Sequence, residues 1–467
     1  MAVATGWASI ASFVTFALLA RLLDPYAFGI FTLAQIVFTL LATLTAAPFN
    51  NYVIQQHDLD EDALDTLFWT NLVLCVAIAA LIWVSADAYA VLMNAPGAAA
   101  PLQCLGIALP VEALATIHLA RSLREFGHKI VAIRTLVSTL LGGGLAVLAA
   151  YNGLGIWSLI LQVWMTSLSN AVSSWLFSRW APRFRFSWFA LRPFLPFCVG
   201  VMTSQLLWLI LLRIPEVILG RVWGPASVAH YRVGWRLTEA ISTAILQPLA
   251  GVALPVFSRL KGDPAKFEDA YARFLNIAAI ALLPSLLGLT ITAKEVVPLL
   301  FGPNWTDSIV IVQILGLLGV PLVLNYLVGH ALTAVGAVRQ LSRLAIVQIV
   351  ATFFFSLSAA PFGVAAVCLA YVARAYVMMP YQQYLLRVSS SVSFRTCIKA
   401  IRAPFLASCV MAAALYLPNH LFRSYLPQDV IYVTIVIPCG ALVYILTLYL
   451  LDQKAFRAYT RLLGSLS

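Results

Sequence analysis

Residues 20–31 read A-R-L-L-D-P-Y-A-F-G-I-F, and residues 220–231 read G-R-V-W-G-P-A-S-V-A-H-Y. Offset by 200 positions, Arg21 falls on Arg221, Pro25 on Pro225 and Phe31 on Tyr231. Each segment follows the first long apolar run of its half of the chain. Further on, G-H-K-I-V-A-I-R (Gly127 to Arg134) falls on G-A-V-R-Q-L-S-R (Gly336 to Arg343) at an offset of 209. The turn Asn152-Gly-Leu-Gly-Ile-Trp157 has its counterpart in Ala360-Pro-Phe-Gly-Val364. Weak matches that keep their order and offset mark an internal duplication, so the two halves are expected to be two copies of one bundle.

The composition says what kind of bundle. Of 467 residues, 62% are hydrophobic and 10% charged, against roughly 25% charged in an average soluble domain. Apolar runs of about 17–25 residues recur between short polar stretches, the length a helix needs to cross ~30 Å of hydrocarbon. The ten-residue alternating segments of a membrane β-barrel do not occur. The class is therefore an all-α polytopic membrane protein of about fourteen transmembrane helices. The spans are expected near 3–20, 28–48, 67–84, 100–120, 135–150, 156–177, 194–212, 236–256, 274–292, 308–332, 344–360, 363–380, 404–418 and 430–451. The chain divides into an N-terminal six-helix lobe (1–192), a repeated six-helix lobe (193–387) and two further helices with a tail (388–467). Both lobes hold an even number of spans, so they share one orientation, and the substrate path is expected between them. The Gly142-Gly143-Gly144 run predicts a close helix contact. The N-terminus has no basic region before its apolar run, so it reads as the first span; its abrupt start implies a short leader ahead of residue 1.

The net charge of +11 is explained by placement and not by nucleic acid. With a cytoplasmic N-terminus, the inner loops and tail hold Arg121, Arg124, Lys129, Arg134, Arg179, Arg183, Arg185, Arg192, Arg259, Lys261, Lys266, Arg273, Arg339, Arg343, Arg387, Arg395, Lys399, Arg402, Lys454, Arg457 and Arg461. Those are 21 of the 29 Lys and Arg, a three-to-one bias over the outer loops that places both termini in the cytoplasm. One inner stretch breaks the pattern: residues 55–66, QQHDLDEDALDT, carry five acids and no base. Its Asp58-Leu59-Asp60 triplet could be a metal-binding D-x-D, or the stretch could cap the next helix. Seven scattered cysteines (75, 104, 198, 368, 397, 409, 439) and six histidines (57, 118, 128, 230, 330, 420) show no metal-ligand spacing. No metal or cofactor is expected.

The segments A-R-L-L-D-P-Y-A-F-G-I-F-T-L-A (20–34), L-G-R-V-W-G-P-A-S-V-A-H-Y-R-V (219–233), L-P-V-F-S-R-L (254–260) and F-G-P-N-W (301–305) resemble the Wzx-type polysaccharide flippases. These belong to the MOP superfamily, which also holds MATE drug exporters and MurJ lipid II flippases. The resemblance runs along most of the chain. It implies two six-helix lobes around a cavity, alternating access, and a polyprenyl-diphosphate-linked oligosaccharide as cargo in the bacterial inner membrane. It also implies polysaccharide polymerase and co-polymerase proteins as partners. One departure stands out: where an acid usually precedes the second R-x-x-G-P, this chain has Arg213-Ile-Pro215-Glu216.

Ionisable groups inside a span cost a few kcal/mol and are functional candidates by default. Arg232, Arg236, Glu239, Thr243 and Gln247 are spaced 4, 3, 4 and 4, which sets them on one face of span 8. Lining a pathway, the two arginines would meet a diphosphate or an acidic sugar, because a guanidinium binds oxyanions bidentately and stays charged. The alternative is an Arg236–Glu239 pair that neutralises itself. The same face of span 2 offers Thr32, Ile36, Thr39 and Thr43, with no charge. Glu112 and Arg374 are intramembrane candidates for ion coupling, or for a buried pair. Arg21 and Arg221 recur in the repeat, as cavity cations or as helix-end ties, and Arg213 lines the path or snorkels to the interface.

The leading function is therefore a lipid-linked oligosaccharide flippase. Its rivals are a cation-coupled drug exporter of the same fold and a membrane polymerase or ligase of lipid-linked sugars. An enzyme would need catalytic groups on a large outer loop, and the longest outer loops, near 213–235 and 293–307, hold no acid–base pair.

Overall fold

Residues 2–56, 59–125, 127–178, 180–422 and 429–453 are described by a computed structural model. His57, Asp58 of the D-x-D triplet, Arg179, Arg423, Lys454, Arg457 and Arg461 lie outside the described residues.

Asp24 opens the first long helix of the repeat: its carboxylate accepts from the backbone N–H groups of Tyr26 and Ala27, and Pro25 sits where no N–H is needed. Such ends delimit fifteen α-helices among the described residues, with no strand. They are α1 (Ala2–Leu22), α2 (Pro25–Gln55), α3 (Glu61–Leu92), α4 (Ala99–Arg124), α5 (His128–Tyr151), α6 (Ile156–Phe177), α7 (Trp188–Trp223) and α8 (Pro225–Leu260). There follow α9 (Pro264–Phe301), α10 (Ser308–Gly316), α11 (Gly319–Ala334), α12 (Val338–Ala359), α13 (Val364–Ser390), α14 (Phe394–Phe422) and α15 (Asp429–Leu451). Every expected span falls on a helix. Eleven are long and apolar enough to cross a membrane, or twelve when the bent pair α10–α11 counts as one. The α1 segment from Gly6 to Leu22 is shorter than these eleven. Helix α6 is not among the eleven, because Ser158, Gln162, Thr166, Ser167, Ser169, Asn170, Ser173 and Ser174 dilute its hydropathy.

The tenth span was expected to be continuous over 308–332, and here the structure corrects the sequence reading. It bends by 59° between α10 and α11. The cause is legible in G-L-L-G-V-P at 316–321: Pro321 has no N–H for the carbonyl of Leu317 four residues back. In hydrocarbon a freed carbonyl needs another donor, and the Tyr376 hydroxyl supplies it at 2.9 Å. The same substitution of a side chain for a missing N–H recurs. Pro284 frees the carbonyl of Ile280, which accepts from the Tyr444 hydroxyl at 3.0 Å. Pro404 frees that of Ala400, which accepts from Asn276 Nδ2. Pro225 frees that of Arg221, which accepts from Asn94 Nδ2 at 3.3 Å.

The long outer loops expected near 213–235 and 293–307 are absent. Helix α7 runs to Trp223 and α8 starts at Pro225, with only Gly224 between, while α9 runs to Phe301 and gives way to a short turn. Proline at a helix start and a glycine at the preceding end make a corner without a loop.

The chain forms two compact units, Met1–Arg232 and Val233–Ser467. In unit 1, Phe49, Tyr52, Leu64, Leu67, Phe68, Ile117, Trp180 and Phe194 form one buried cluster. The two copies of the repeated segment touch here: a Cβ on Gly29 would overlap the backbone of Pro225, and one on Gly220 would come within 2.6 Å of Leu33 Cδ2. The predicted glycine contact is present as well. A Cβ on Gly142 would overlap Thr166 Oγ1 of α6, and one on Gly143 would reach 2.5 Å from Thr15 Oγ1 of α1, while Gly144 faces open space. In unit 2, α8, α9, α11 and α14 share a core of Phe257, Phe267, Tyr271, Leu282, Leu324 and Leu327 with many alanines. Helices α14 and α15 pack on α9 through Met411, Leu415, Tyr444 and Leu448. Gly155 (φ 55°) and Gly363 (φ 101°) both precede a helix with positive φ, where a side chain would be strained.

The acid-rich stretch is a helix cap and a latch. Asp60 accepts from the Ala63 N–H, and Glu61 and Asp62 fill the first turn of α3, where the helix dipole favours them. Beyond the cap, Asp62 pairs with Arg185 at 2.7 Å and Glu61 with Arg183 at 3.5 Å. Buried Asp65 accepts from the Arg183 N–H at 3.2 Å, Thr66 Oγ1 accepts from the Ser187 N–H, and Trp69 donates to the Arg183 carbonyl. Three of the five acids, Glu61, Asp62 and Asp65, therefore hold the linker between α6 and α7. Across the second unit, Asp263 caps α9, and its hydrogen bonds from the Lys266 side chain and backbone keep it below the usual carboxylate range.

Candidate functional site

The α7–α8 corner brings three charged side chains together. Glu216 accepts from Arg213 Nη1 at 2.7 Å and from Arg232 Nη1 at 3.4 Å. Its side chain is 2% exposed, and those of Arg213 and Arg232 are 20% and 17% exposed. One carboxylate thus serves two guanidiniums, and the trio keeps one positive charge in excess. A buried trio of this kind attracts an anion while remaining folded in its absence.

One turn along α8, Arg236 Nη1 pairs with Glu239 Oε2 at 3.2 Å, the self-neutralising arrangement. Thr243 donates its hydroxyl back to the carbonyls of Glu239 and Ala240, and Gln247 is exposed. On the other faces of the helix, Val233 and Leu237 are buried, and Ile241 and Ile245 pack on the core of unit 2. The stripe therefore reads in order along the helix as an excess cation, a neutral pair, and uncharged polar groups.

The other candidates are not drawn into this cluster. Arg21 and Arg221 stand in the last turns of α1 and α7, where a cation complements the carboxyl end of a helix dipole. Glu112, in the middle of α4, accepts from Ser167 of α6 at 3.0 Å and has no cation within ion-pair distance among the described residues. Arg374, on α13, is 5% exposed; its guanidinium lies 4.5 Å from the Tyr371 ring centroid, and Trp235 meets that ring edge-on at 5.6 Å. Each of these two has its partner inside its own unit.

Two residues escaped the sequence reading. Glu216 was registered only as a departure, although Arg213 three residues earlier on the same helix signals a pair. It is also the first acid after Glu125, so an acid in that place is conspicuous. Arg134, counted with the loop cations, lies inside α5 and is buried. The acid-free sequence around it was the available signal.

The profile of a polysaccharide biosynthesis protein family matches residues 18–310. Among individual proteins, the succinoglycan biosynthesis transport protein ExoT of Rhizobium meliloti (strain 1021) is 27% identical over 450 residues, covering 95% of this chain and 90% of its own. The lipopolysaccharide biosynthesis protein WzxC of Escherichia coli (strain K12) is 23% identical over 326 residues, 67% of this chain and 65% of its own. Among solved structures, the lipid II flippase MurJ in an inward closed conformation superposes with a TM-score of 0.80 over 97% of this chain and 99% of its own, at 12% identity. An inward-facing MATE family multidrug transporter of the MOP superfamily gives 0.66 over 83% of this chain and 96% of its own, at 19% identity.

Proposed function

This chain belongs to the polysaccharide biosynthesis protein family, and from that premise we propose that it moves polyprenyl-diphosphate-linked oligosaccharide units across the bacterial inner membrane for exopolysaccharide, capsule or O-antigen assembly. The observation that carries the reading is the Arg213–Glu216–Arg232 trio. A flippase must draw a diphosphate and a train of sugar hydroxyls out of water, and must release them again. A fixed excess of one guanidinium, followed along α8 by Arg236, Glu239, Thr243 and Gln247, provides an anion anchor and hydrogen-bonding groups without a covalent step. The likeness of the whole chain to a succinoglycan transport protein supports a saccharide cargo. In this reading both termini face the cytoplasm, and polymerase and co-polymerase proteins take over the delivered unit.

Glu112 gives specific support to a cation-coupled step. A carboxyl group in mid-membrane with a serine for its partner can exchange a proton without breaking an ion pair, so it is the coupling candidate; Arg374, whose charge rests on an aromatic ring, is the second. A drug exporter would use the same residue for a different cargo.

Deletion of the gene should make an undecaprenyl-diphosphate oligosaccharide accumulate, measured by mass spectrometry of lipid extracts. Complementation by wild type should clear it, and complementation by Arg232→Ala with Arg236→Ala should not, at equal membrane levels of the protein. Unchanged lipid-linked sugar with altered drug sensitivity would sink the flippase reading.

A further inference from the structure

Helices α5 and α6, joined by a short turn, pack antiparallel along a seam that steps four residues at a time. Gly142 opposes Thr166, Ser138 donates to Asn170 Oδ1 at 2.8 Å, and Arg134 Nη1 donates to Ser174 Oγ at 2.5 Å. Ser138 also lies 3.2 Å from Ser169 Oγ. The first steps are ordinary small-residue and hydroxyl packing between membrane helices. The last is different in kind, because it leaves a charge inside the protein.

Arg134 is 9% exposed, and its Nε is buried with no hydrogen-bond partner. No carboxylate reaches it among the described residues. None could come from its own surroundings in sequence, since no Asp or Glu occurs between Glu125 and Glu216. The residue stands about 9 Å into α5, at 1.5 Å per residue. It does not snorkel to the surface, because its fork turns into the seam toward Ser174. A guanidinium has five donors, and the seam engages Nη1 with a neutral hydroxyl. Ser174 meets the guanidinium, and one turn along the seam Ser138 meets Ser169 and Asn170; with a fixed cation at its end, this run of hydroxyls and a carboxamide suits an oxyanion and not a metal ion.

We propose that this end of the α5–α6 seam is a binding subsite for the phosphoryl oxygens of a polyprenyl diphosphate, with Arg134 as its cation and Ser174, Ser169 and Asn170 as its hydrogen-bonding wall. The inference rests on the transport reading above and adds to it a place of first engagement. The seam ends beside the loops at 121–129 and 178–187, which the charge bias assigns to the cytoplasm. A phosphoryl group entering there meets a charge with no internal counter-ion. The Ser138 hydroxyl lies 2.8 Å from Asn170 Oδ1 and 2.9 Å from the Arg134 carbonyl, which sets the carboxamide one turn from the guanidinium's own residue.

The test uses the full-length protein in detergent, with undecaprenyl diphosphate as ligand and undecaprenol, phosphatidylglycerol and inorganic pyrophosphate as controls, read by thermal shift and tryptophan quenching. Only undecaprenyl diphosphate should raise the Tm of wild type. Arg134→Gln should weaken its binding at least about tenfold, with Arg134→Lys intermediate. Ser174→Asp supplies the missing carboxylate from within: its Tm without ligand should rise and its response to the diphosphate should vanish. This variant keeps the test alive if Arg134→Gln fails to fold. Wild-type affinity in Ser174→Asp would overturn the subsite and leave the transport reading standing. An equal shift with phosphatidylglycerol or pyrophosphate would overturn the lipid diphosphate assignment. A deletion strain that accumulates no lipid-linked sugar is the separate result that removes the transport reading itself.

Discussion

Glu216 stands between two cations, so removing it is a different act from removing either of them. Loss of Arg232 leaves a buried carboxylate still paired to Arg213 at 2.7 Å. Loss of the carboxylate leaves two half-buried guanidiniums close to each other. Breaking a buried pair by deleting one partner typically destabilises by about 3–5 kcal/mol, and here repulsion adds to it. Glu216→Ala is therefore expected to lose more stability than Arg232→Ala, measured by thermal unfolding in detergent, and Glu216→Ala with Arg213→Gln should recover part of the loss. Equal losses for the two single variants would mean that the carboxylate is not the hub. The spacing on α8 marked Arg232 and Arg236 as one face and offered the Arg236–Glu239 pair, but not the tie of Arg232 to Glu216. That tie joins residues sixteen apart across a helix corner, a relation that no local periodicity contains.

Prolines usually mark weak points in helices, yet in this protein several serve as attachment points. Asn276 of α9 donates to the carbonyl that Pro404 frees on α14, and Tyr444 of α15 donates to the one that Pro284 frees on α9. The last two helices are thereby held to α9 by exchange of donors in both directions. An unsatisfied buried carbonyl costs about 1–3 kcal/mol. Tyr444→Phe and Asn276→Leu should each lower stability by that order, and Pro284→Ala should largely cancel the effect of Tyr444→Phe by restoring the helical N–H. Hydrogen exchange on α9 and α14 reads the local loosening; a Tyr444→Phe defect untouched by Pro284→Ala would disprove the coupling. Proline positions are plain in the sequence, whereas the donors that answer them lie between 59 and 164 residues away. The acid-rich stretch behaves likewise. Its composition announced a cap, and only the fold revealed Arg183 and Arg185 as its partners.

At the scale of the molecule, the segments 20–31 and 220–231 are in contact. Gly29 leaves room for the backbone of Pro225, so the first repeat's helix start lies against the second's. Gly29→Val should force that contact apart, at a cost of about 1–3 kcal/mol for overpacking, with export falling further than stability. Gly144→Val, on a face with nothing within 4 Å, should change neither; matching effects at the two sites would show that the repeat contact has no special role. What the sequence determined by itself was the class and the helices, because hydropathy over twenty residues and helix caps are properties of the chain read in order. It also determined that α8 carries a polar face, since 3.6-residue periodicity is local. The tertiary structure alone decided which charges cancel and which remain. Pairing of Glu216 with Arg213 and Arg232, of the 61–66 acids with the 183–187 linker, and the absence of any acid beside Arg134 among the described residues depend on distances between helices. In a low-dielectric bilayer those distances, and not the count of charges, set where an anion can be held.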